Sequence, residues 1–164
     1  MEQKTITLKR SQVKGIYEYF ANLLQQEGKN AEFSYLIYKN AETLAQEYAN
    51  IINTIYDENR DKSYKKFEQE NKQLLVKYAD RDEQGNPIRL ENGTLKITEQ
   101  IAEYEQEMKR LFDENKQMLE ERQQKIQESY KFLSVPVEFN LLVMPVSHFP
   151  DTTAPVIVGT FAVV

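Results

Sequence analysis

The sequence predicts a mainly α-helical fold with a smaller β component (α+β). Two long segments with apolar residues at helical spacing, residues 31–79 and 98–133, flank a short break at residues 80–97. The break contains Asn92-Gly93, the dipeptide that best suits a tight hairpin turn. After residue 134, β-branched and aromatic residues replace the charge-rich composition. We therefore expect a long antiparallel helical arm with a short β-hairpin near its tip, and a small β-containing base formed by the C-terminal segment.

Length, charge and cysteine content limit the possible classes of protein. The chain has 164 residues, which is enough for one domain, and we divide it into a helical first half (1–79), a turn and hairpin (80–97), a long helix (98–133) and a β-rich tail (134–164). It has no cysteine, so disulfides and thiolate chemistry are excluded. A net charge of −5 argues against nonspecific binding to nucleic acids or anionic membranes. Because no signal peptide or membrane span is evident, we expect a cytoplasmic protein.

The first half of the chain reads as a short strand followed by helices. Residues 5–8 alternate in polarity and predict a strand. Ser11 then suits the N-cap of a helix that runs to about Glu27, with Gly28 as its stop signal. A second helix begins near Ala31, and its apolar stripe weakens at residues 57–61. Because no Pro or Gly interrupts residues 29–84, one long helix bent near Asn59 is at least as favourable as two helices.

The break at residues 80–97 favours a β-hairpin. A two-residue type I′ turn on Asn92-Gly93 pairs the flanking residues directly across the strands. The predicted pairs are Glu91 with Thr94, Leu90 with Leu95, Arg89 with Lys96, and Ile88 with Ile97. This register places the four aliphatic side chains on one face and the polar ones on the other.

A calcium-binding loop is the alternative reading of the same segment. The candidate ligands, at motif positions 1, 3, 5 and 12, are Asp80, Asp82, Gln84 and Glu91. Oxygen ligands at these positions can enclose a hard cation, and Gly85 stands where the motif requires a sharp turn. Pro87 and the Asn-Gly that follows Glu91 depart from the helix–loop–helix geometry, so the hairpin is favoured and no metal site is expected.

The third long helix is predicted to begin after an N-cap at Thr98. Its apolar residues follow the 3-4 spacing of a coiled-coil seam, with Asn115 inside that seam. Asn115 could fix the register or the oligomeric state; the alternative is an exposed amide on a partly open arm.

The C-terminal tail is the densest apolar sequence in the chain. Residues 135–143 and 154–164 read as strands, separated by a turn rich in Pro, Ser, Thr and Asp. Such a tail must pack on the rest of the chain or on another molecule. We expect it to mediate assembly, and its interface candidates are Phe139, Leu141, Val158 and Phe161.

Catalytic and cofactor motifs are not evident. The single histidine, His148, has no neighbouring motif that would make it a catalytic base, and the abundant carboxylates alternate with Lys, Arg and Gln as on a solvated helix face. We therefore expect no enzyme activity and no cofactor. The ten tyrosines are unusual, because tyrosine is enriched at protein interfaces. Those beside the main apolar stripes are interface candidates: Tyr19, Tyr35 and Tyr38.

A family resemblance completes the prediction. The order of a helical first half, the segment Leu75-Val-Lys-Tyr-Ala-Asp-Arg-Asp-Glu-Gln-Gly-Asn-Pro-Ile88, a polar helix, then Val135-Pro-Val-Glu-Phe139 and a strand-rich tail resembles small uncharacterised proteins of tailed bacteriophages, mainly over residues 74–140. The resemblance implies the bacterial host cytoplasm or the virion. We expect a non-enzymatic protein–protein interaction or assembly protein that forms homo-oligomers, as a phage structural or accessory component. The alternative is a small acidic phage-encoded inhibitor that binds a host protein.

Overall fold

A computed structural model describes residues 1–26 and 30–163 and confirms the mainly α, α+β fold class. The chain forms two compact units. Met1–Ile55 together with Gln127–Val164 form what we call the base unit, and Tyr56–Ile126 form the arm unit. No helix in the described part of the chain is long and apolar enough to cross a membrane.

The base unit contains a three-stranded sheet with the order β1-β2-β3. Strand β1 (Glu2–Lys9) pairs antiparallel with β2 (Pro136–Pro145), and β2 pairs parallel with the short β3 (Ala162–Val163). Helices α1 (Arg10–Leu24), α2 (Ala31–Thr54) and α6 (Pro155–Phe161), together with the last part of α5 (Lys116–Ser134), complete the unit, with a 3-10 turn at Val146–His148.

The core of the base unit is formed by apolar side chains of its helices and strands. Its apolar side chains come from α1, α2 and α6 and from β2, and the largest fully buried ones are Val13, Phe20, Phe33, Leu36, Ile37, Leu44, Ile51, Leu141, Val143, Met144, Ile157 and Phe161. Two aromatic pairs join distant elements: the ring centroids of Phe20 and Phe161 lie 5.4 Å apart, and those of Phe33 and Phe149 lie 5.7 Å apart.

The arm unit is an antiparallel helical pair formed within one chain. Its elements are a 3-10 turn (Glu58–Arg60), α3 (Lys62–Tyr78), α4 (Ile101–Glu114) and the first part of α5 (Lys116–Ser134). Tyr78 at the end of α3 packs on Tyr104 near the start of α4, with ring centroids 6.1 Å apart. Phe67, earlier in α3, packs on Phe112, later in α4, at 5.2 Å. These pairings define the antiparallel direction.

Four helix boundaries differ from the sequence prediction. Helix α1 begins at Arg10 with Lys9 as the N-cap, so Ser11 lies inside the first turn, and its predicted stop at Gly28 falls outside the described residues. Of the two alternatives after Ala31, one bent helix or two helices, the structure has two: α2 ends at Thr54, and the chain resumes helix at Lys62. Asp57 and Asp61 cause this break, since each accepts a capping hydrogen bond from a backbone N–H two or three residues ahead.

The other two boundaries concern the last long helix. It begins at Ile101 rather than directly after Thr98, and it is interrupted at Asn115. The strand predicted for residues 154–164 is also wrong over most of its length, because Pro155 to Phe161 form α6. Pro155 occupies the first helical turn, where proline is tolerated, and the helix buries Ile157 and Phe161 on one face at i, i+4 spacing. Tertiary burial overrides the β propensity of these residues.

Candidate functional site

The segment between α3 and α4 forms two tight turns of the same type. In the first, the N–H of Gly85 donates to the carbonyl of Asp82 at 2.9 Å; in the second, the N–H of Gly93 donates to the carbonyl of Leu90 at 2.8 Å. Both glycines have positive φ, +85° and +82°, which favours glycine. An arginine side chain reaches each glycine carbonyl, Arg81 at 2.8 Å and Arg89 at 2.9 Å. We call residues 80–99 the turn pair.

The predicted hairpin register is wrong by one residue. Arg89 pairs with Leu95 instead of Lys96, and the N–H of Leu90 donates to the carbonyl of Thr94 at 2.8 Å. The loop therefore has three residues, with Gly93 alone at positive φ, rather than the two positive-φ residues of a type I′ turn. Leu90 is exposed, whereas Ile88 is half-buried.

Backbone hydrogen bonds close the turn pair into a ring. The N–H of Ile88 donates to the carbonyl of Asp80, and the N–H of Lys96 donates to the carbonyl of Ile88. The N–H of Asp80 in turn donates to the carbonyl of Lys96, and all three N···O distances are 2.8–2.9 Å. Ile88 stands eight positions after Asp80 and eight before Lys96, and each of the three residues donates once and accepts once. The ring fixes the backbone of both turns relative to one another.

The Asp80 side chain joins this ring to the start of α4. Asp80 is 6% exposed, and its carboxylate accepts hydrogen bonds from the N–H groups of Thr98 (3.0 Å) and Glu99 (3.2 Å) and from the Thr98 hydroxyl. The Thr98 hydroxyl is the largest of several contacts that lower the pKa of Asp80 below its ordinary value. Thr98 therefore does not act as the predicted N-cap; its own N–H and hydroxyl are bound by Asp80.

The four candidate calcium ligands have separate roles or remain at the surface. Asp82 binds its own turn, because its Oδ1 accepts from the N–H groups of Gln84 and Asn86, both at 2.9 Å. These backbone contacts, with that of Asn86 the largest, lower the pKa of Asp82. Gln84 and Glu91 are exposed. Within residues 1–26 and 30–163, no group of three or more His, Asp or Glu side chains is placed to hold a metal ion.

Large apolar side chains near the turn pair remain half-exposed. Val76 at the end of α3, Leu90 in the second turn and Ile101 at the start of α4 are 47%, 48% and 49% exposed. Further along α4, Phe112 is 45% exposed, although one edge of its ring packs on Phe67. A two-helix arm has too little interior to bury these residues, so they offer apolar surface to another molecule.

A polar cluster forms at the end of the arm unit opposite the turn pair. The guanidinium of Arg122 lies 3.9 Å from the centre of the Tyr64 ring and donates to the Tyr56 hydroxyl (3.1 Å) and to Glu58 (2.8 Å). The Tyr56 hydroxyl donates to Asp61 at 3.0 Å. The backbone N–H of Tyr64 is the main cause of the lowered pKa of Asp61, and burial raises the pKa of Tyr56. Every polar group named here has a structural partner.

The sequence-predicted interface residues lie in different environments. Tyr35 and Tyr38 are 51% and 53% exposed on α2 and remain available to a partner. Tyr19 is half-buried, and its hydroxyl accepts from the N–H of Ala154 at 3.1 Å. Asn115 is half-buried where α4 ends, and its amide donates to the carbonyl of Leu111 at 2.8 Å. Asn115 thus bonds within its own helix.

The four tail candidates belong to the core of the base unit or to its edge. Leu141 and Phe161 are fully buried, so the folded chain cannot present them to a partner. Phe139 and Val158 are half-buried and pack against the same core. The tail therefore packs on its own chain, which satisfies the burial that its apolar composition requires.

Sequence reasoning missed Asn40, which is 1% exposed on α2. Its amide donates to the carbonyl of Leu142 at 2.9 Å and accepts from the N–H of Leu142 at 2.8 Å. Asn40 thus pairs with one residue of β2 as a neighbouring strand would. His148, set aside as a catalytic base, lies 2.7 Å from Glu32 at the surface.

Comparison with protein-family models, curated proteins and solved structures finds no match to this chain.

Proposed function

We propose that this chain is a non-enzymatic protein–protein interaction or assembly protein whose arm unit binds a partner protein. The supporting observation is that three apolar side chains in or beside the turn pair, Val76, Leu90 and Ile101, are half-exposed while backbone hydrogen bonds fix the two turns. Binding to a preformed surface avoids the entropic cost of ordering a loop. The partner gains a hydrophobic contact, and the surrounding charges provide a polar rim.

The charged residues of the arm unit support a scaffold role. Many of them pair one turn apart on their own helix, as Lys66 does with Glu70 and Arg110 with Glu114. Lys77 and Glu107 link α3 to α4 at 2.9 Å, and this contact raises the pKa of the lysine and lowers that of the carboxyl. Such exposed pairs add little stability but keep the helices solvated. This arrangement favours a role in which the arm unit presents the turn pair to a partner protein, rather than catalysis in a pocket.

The resemblance of residues 74–140 to small tailed-phage proteins supports a more specific proposal. In this proposal the chain is a structural or accessory component of a phage, present in the host cytoplasm or in the virion. The net charge of −5 favours a second candidate, an inhibitor that binds a basic surface of a host protein.

Capture from infected cells, followed by binding of the purified partner, tests the proposal. The wild-type chain should retain a defined partner, and Leu90→Asp combined with Ile101→Asp should lose it, because each change places a charge in an apolar contact. The matched control is Tyr130→Asp, since Tyr130 is 70% exposed in the base unit and should leave capture unchanged. A partner that is a phage component supports the assembly role, whereas a host enzyme whose activity falls on binding supports the inhibitor. Equal capture by all three proteins would contradict binding through the arm unit.

A further inference from the structure

The tip of the second turn brings together the groups of a reaction between a side chain and the backbone. The side-chain oxygen Oδ1 of Asn92 accepts hydrogen bonds from the N–H of Thr94 at 3.0 Å and from the Thr94 hydroxyl at 2.6 Å. The first of these bonds closes an Asx turn, in which an asparagine side chain folds back onto the backbone that follows it. The ring that this bond closes contains both the amide carbon Cγ of Asn92 and the backbone nitrogen of Gly93.

The two donors on Oδ1 activate the Asn92 amide toward attack. They draw electron density from Cγ and stabilise the negative charge that develops on the oxygen when a nucleophile adds. The nucleophile is the backbone nitrogen of Gly93, which no side chain shields, and residues 92–94 are all exposed to water. The Gly93 N–H also donates to the carbonyl of Leu90 at 2.8 Å. That bond must open before the nitrogen attacks, so the reaction is slow.

We propose that Asn92 is a site of spontaneous deamidation promoted by Thr94. The Gly93 nitrogen forms a bond to Cγ of Asn92 and loses its proton to water. The Cγ–Nδ2 bond then breaks, and the leaving nitrogen takes a proton from water and departs as ammonia. A second water opens the resulting succinimide at one of its two carbonyl carbons, which leaves aspartate or isoaspartate at position 92. The net change replaces an amide nitrogen with a water oxygen, and nothing is oxidised or reduced.

The first turn is of the same type but lacks this reactivity. Its glycine, Gly85, follows Gln84, whose longer side chain would have to close a six-membered ring and reacts more slowly. Asn86 precedes Pro87, whose nitrogen carries no proton to lose. The side-chain oxygen that folds back in this turn belongs to Asp82, a carboxylate without an amide to release. The pair of turns therefore contains its own comparison.

The isoaspartate product changes the backbone of the turn pair. Its main chain runs through Cβ and Cγ, so it adds one methylene to the segment between Ile88 and Lys96. The N–H of Lys96 donates to the carbonyl of Ile88 across this segment. We expect the added methylene to break that contact, so that the melting temperature of the chain falls as isoaspartate accumulates. The aspartate product keeps the backbone length and should preserve the contact.

Incubation of the full chain near neutral pH, followed by peptide mapping with mass spectrometry, tests the proposal. Cleavage after lysine and arginine separates the two turns into peptides 82–89 and 90–96. Peptide 90–96 should gain the mass difference between an amide and a carboxyl and should contain isoaspartate, while peptide 82–89 stays unchanged. Thr94→Val removes the hydroxyl but keeps the N–H, and should slow the reaction by about three- to tenfold. Thr94→Ser retains a hydroxyl and should react at close to the wild-type rate.

An unmodified peptide 90–96 after prolonged incubation would overturn the proposal. So would a rate in Thr94→Val that equals or exceeds that of the wild type, with matching circular dichroism spectra. If Thr94→Val is misfolded, the comparison passes to Thr94→Ser, and slowing by that variant to the rate of the unfolded wild-type chain in urea would contradict the role of the hydroxyl. These measurements need no partner protein, so failure of this inference is distinct from failure of the proposed function.

Discussion

Asn40 and Asp80 are buried polar side chains that hold backbone rather than perform chemistry. The side-chain amide of Asn40 hydrogen-bonds to the backbone N–H and carbonyl of Leu142, on the edge of β2 that does not face β1. Asp80 satisfies the N–H groups of Thr98 and Glu99 ahead of α4. A buried backbone N–H or carbonyl without a hydrogen-bond partner destabilises the fold. Each of these side chains therefore supplies hydrogen bonds that no neighbouring strand or helix provides at that point.

The lowered pKa values of Asp61 and Asp80 predict an acid-sensitive arm unit. A carboxyl whose pKa is lower in the folded than in the unfolded state stabilises the fold at pH values above its unfolded pKa of about 3.9. That stabilisation is lost as the pH falls through the lower, folded value. Melting followed by circular dichroism should therefore give a steady melting temperature from pH 7 to about pH 5 and a falling one below about pH 4.

Asp80→Asn should lower the melting temperature at pH 7 and reduce its further fall at pH 3, because the amide no longer provides two acceptor oxygens to Thr98 and Glu99. Glu83→Gln is the control, since Glu83 is an exposed carboxyl in the first turn. If Asp80→Asn melts like the wild type at both pH values, the carboxylate does not hold the start of α4.

At the scale of elements, local sequence signals predicted those features that depend on neighbours in the chain. The apolar periodicity of α2 and the alternation of β1 were sufficient because each element buries one face. Asp57 and Asp61 carry a capping signal, and their caps decide between the one-helix and two-helix alternatives that the sequence left open. The helical state of α6 depends on Ile157 and Phe161 reaching a core built from distant residues, so β propensity gave the wrong answer.

In the candidate site, too, local sequence signals predicted the features that depend on chain neighbours and missed those that depend on distant residues. Asn92-Gly93 correctly located a tight turn, but the loop length depends on whether Asn92 also adopts positive φ, and it does not. Asn40 had no local signal, because its partner Leu142 stands 102 residues away. The half-exposure of Leu90 depends on which parts of the arm unit cover it and could not be read from the alternation of residues 88–97.

The glycine at the second turn gives a test of the turn geometry. Gly93→Ala should lower the free energy of unfolding by about 1–2 kcal/mol, because an L side chain is strained at φ +82°. Gly159→Ala, in α6 with no atom near the added methyl group, should be neutral or stabilising by up to about 1 kcal/mol. Urea denaturation measures both. Gly93→Asn should cost less than Gly93→Ala, since asparagine tolerates this region; equal effects of the two changes would contradict the turn geometry.

At the scale of the whole molecule, burial is unequally divided between the two units. Every one of the largest fully buried side chains in the described residues lies in the base unit. The arm unit buries fewer apolar side chains, chiefly Phe67, Tyr78 and Leu111. Because local opening is easiest where few apolar contacts must break, the arm unit should open more readily than the base unit.

Hydrogen exchange on the intact chain should show this difference. Amides of α2 and β2 should exchange more slowly than those of α3 and α4 in dilute solution. The reason is that α2 and β2 carry fully buried side chains, such as Leu44 and Leu141, whereas the arm unit buries fewer apolar side chains. Equal protection of both units in dilute solution would contradict the unequal division of the core.

The closed hydrogen-bonded ring of Asp80, Ile88 and Lys96 has a consequence for how the tip can vary. The ring uses backbone groups alone, so it imposes a spacing on the chain and hardly restricts the side chains between its members. Exposed positions of the two intervening loops, such as Glu83, Asn86 and Glu91, can then be exchanged without changing the frame that carries them. If the turn pair binds a partner as proposed, substitutions within a loop would alter the binding surface, whereas insertion or deletion of one residue would alter the eight-residue spacing and break the ring.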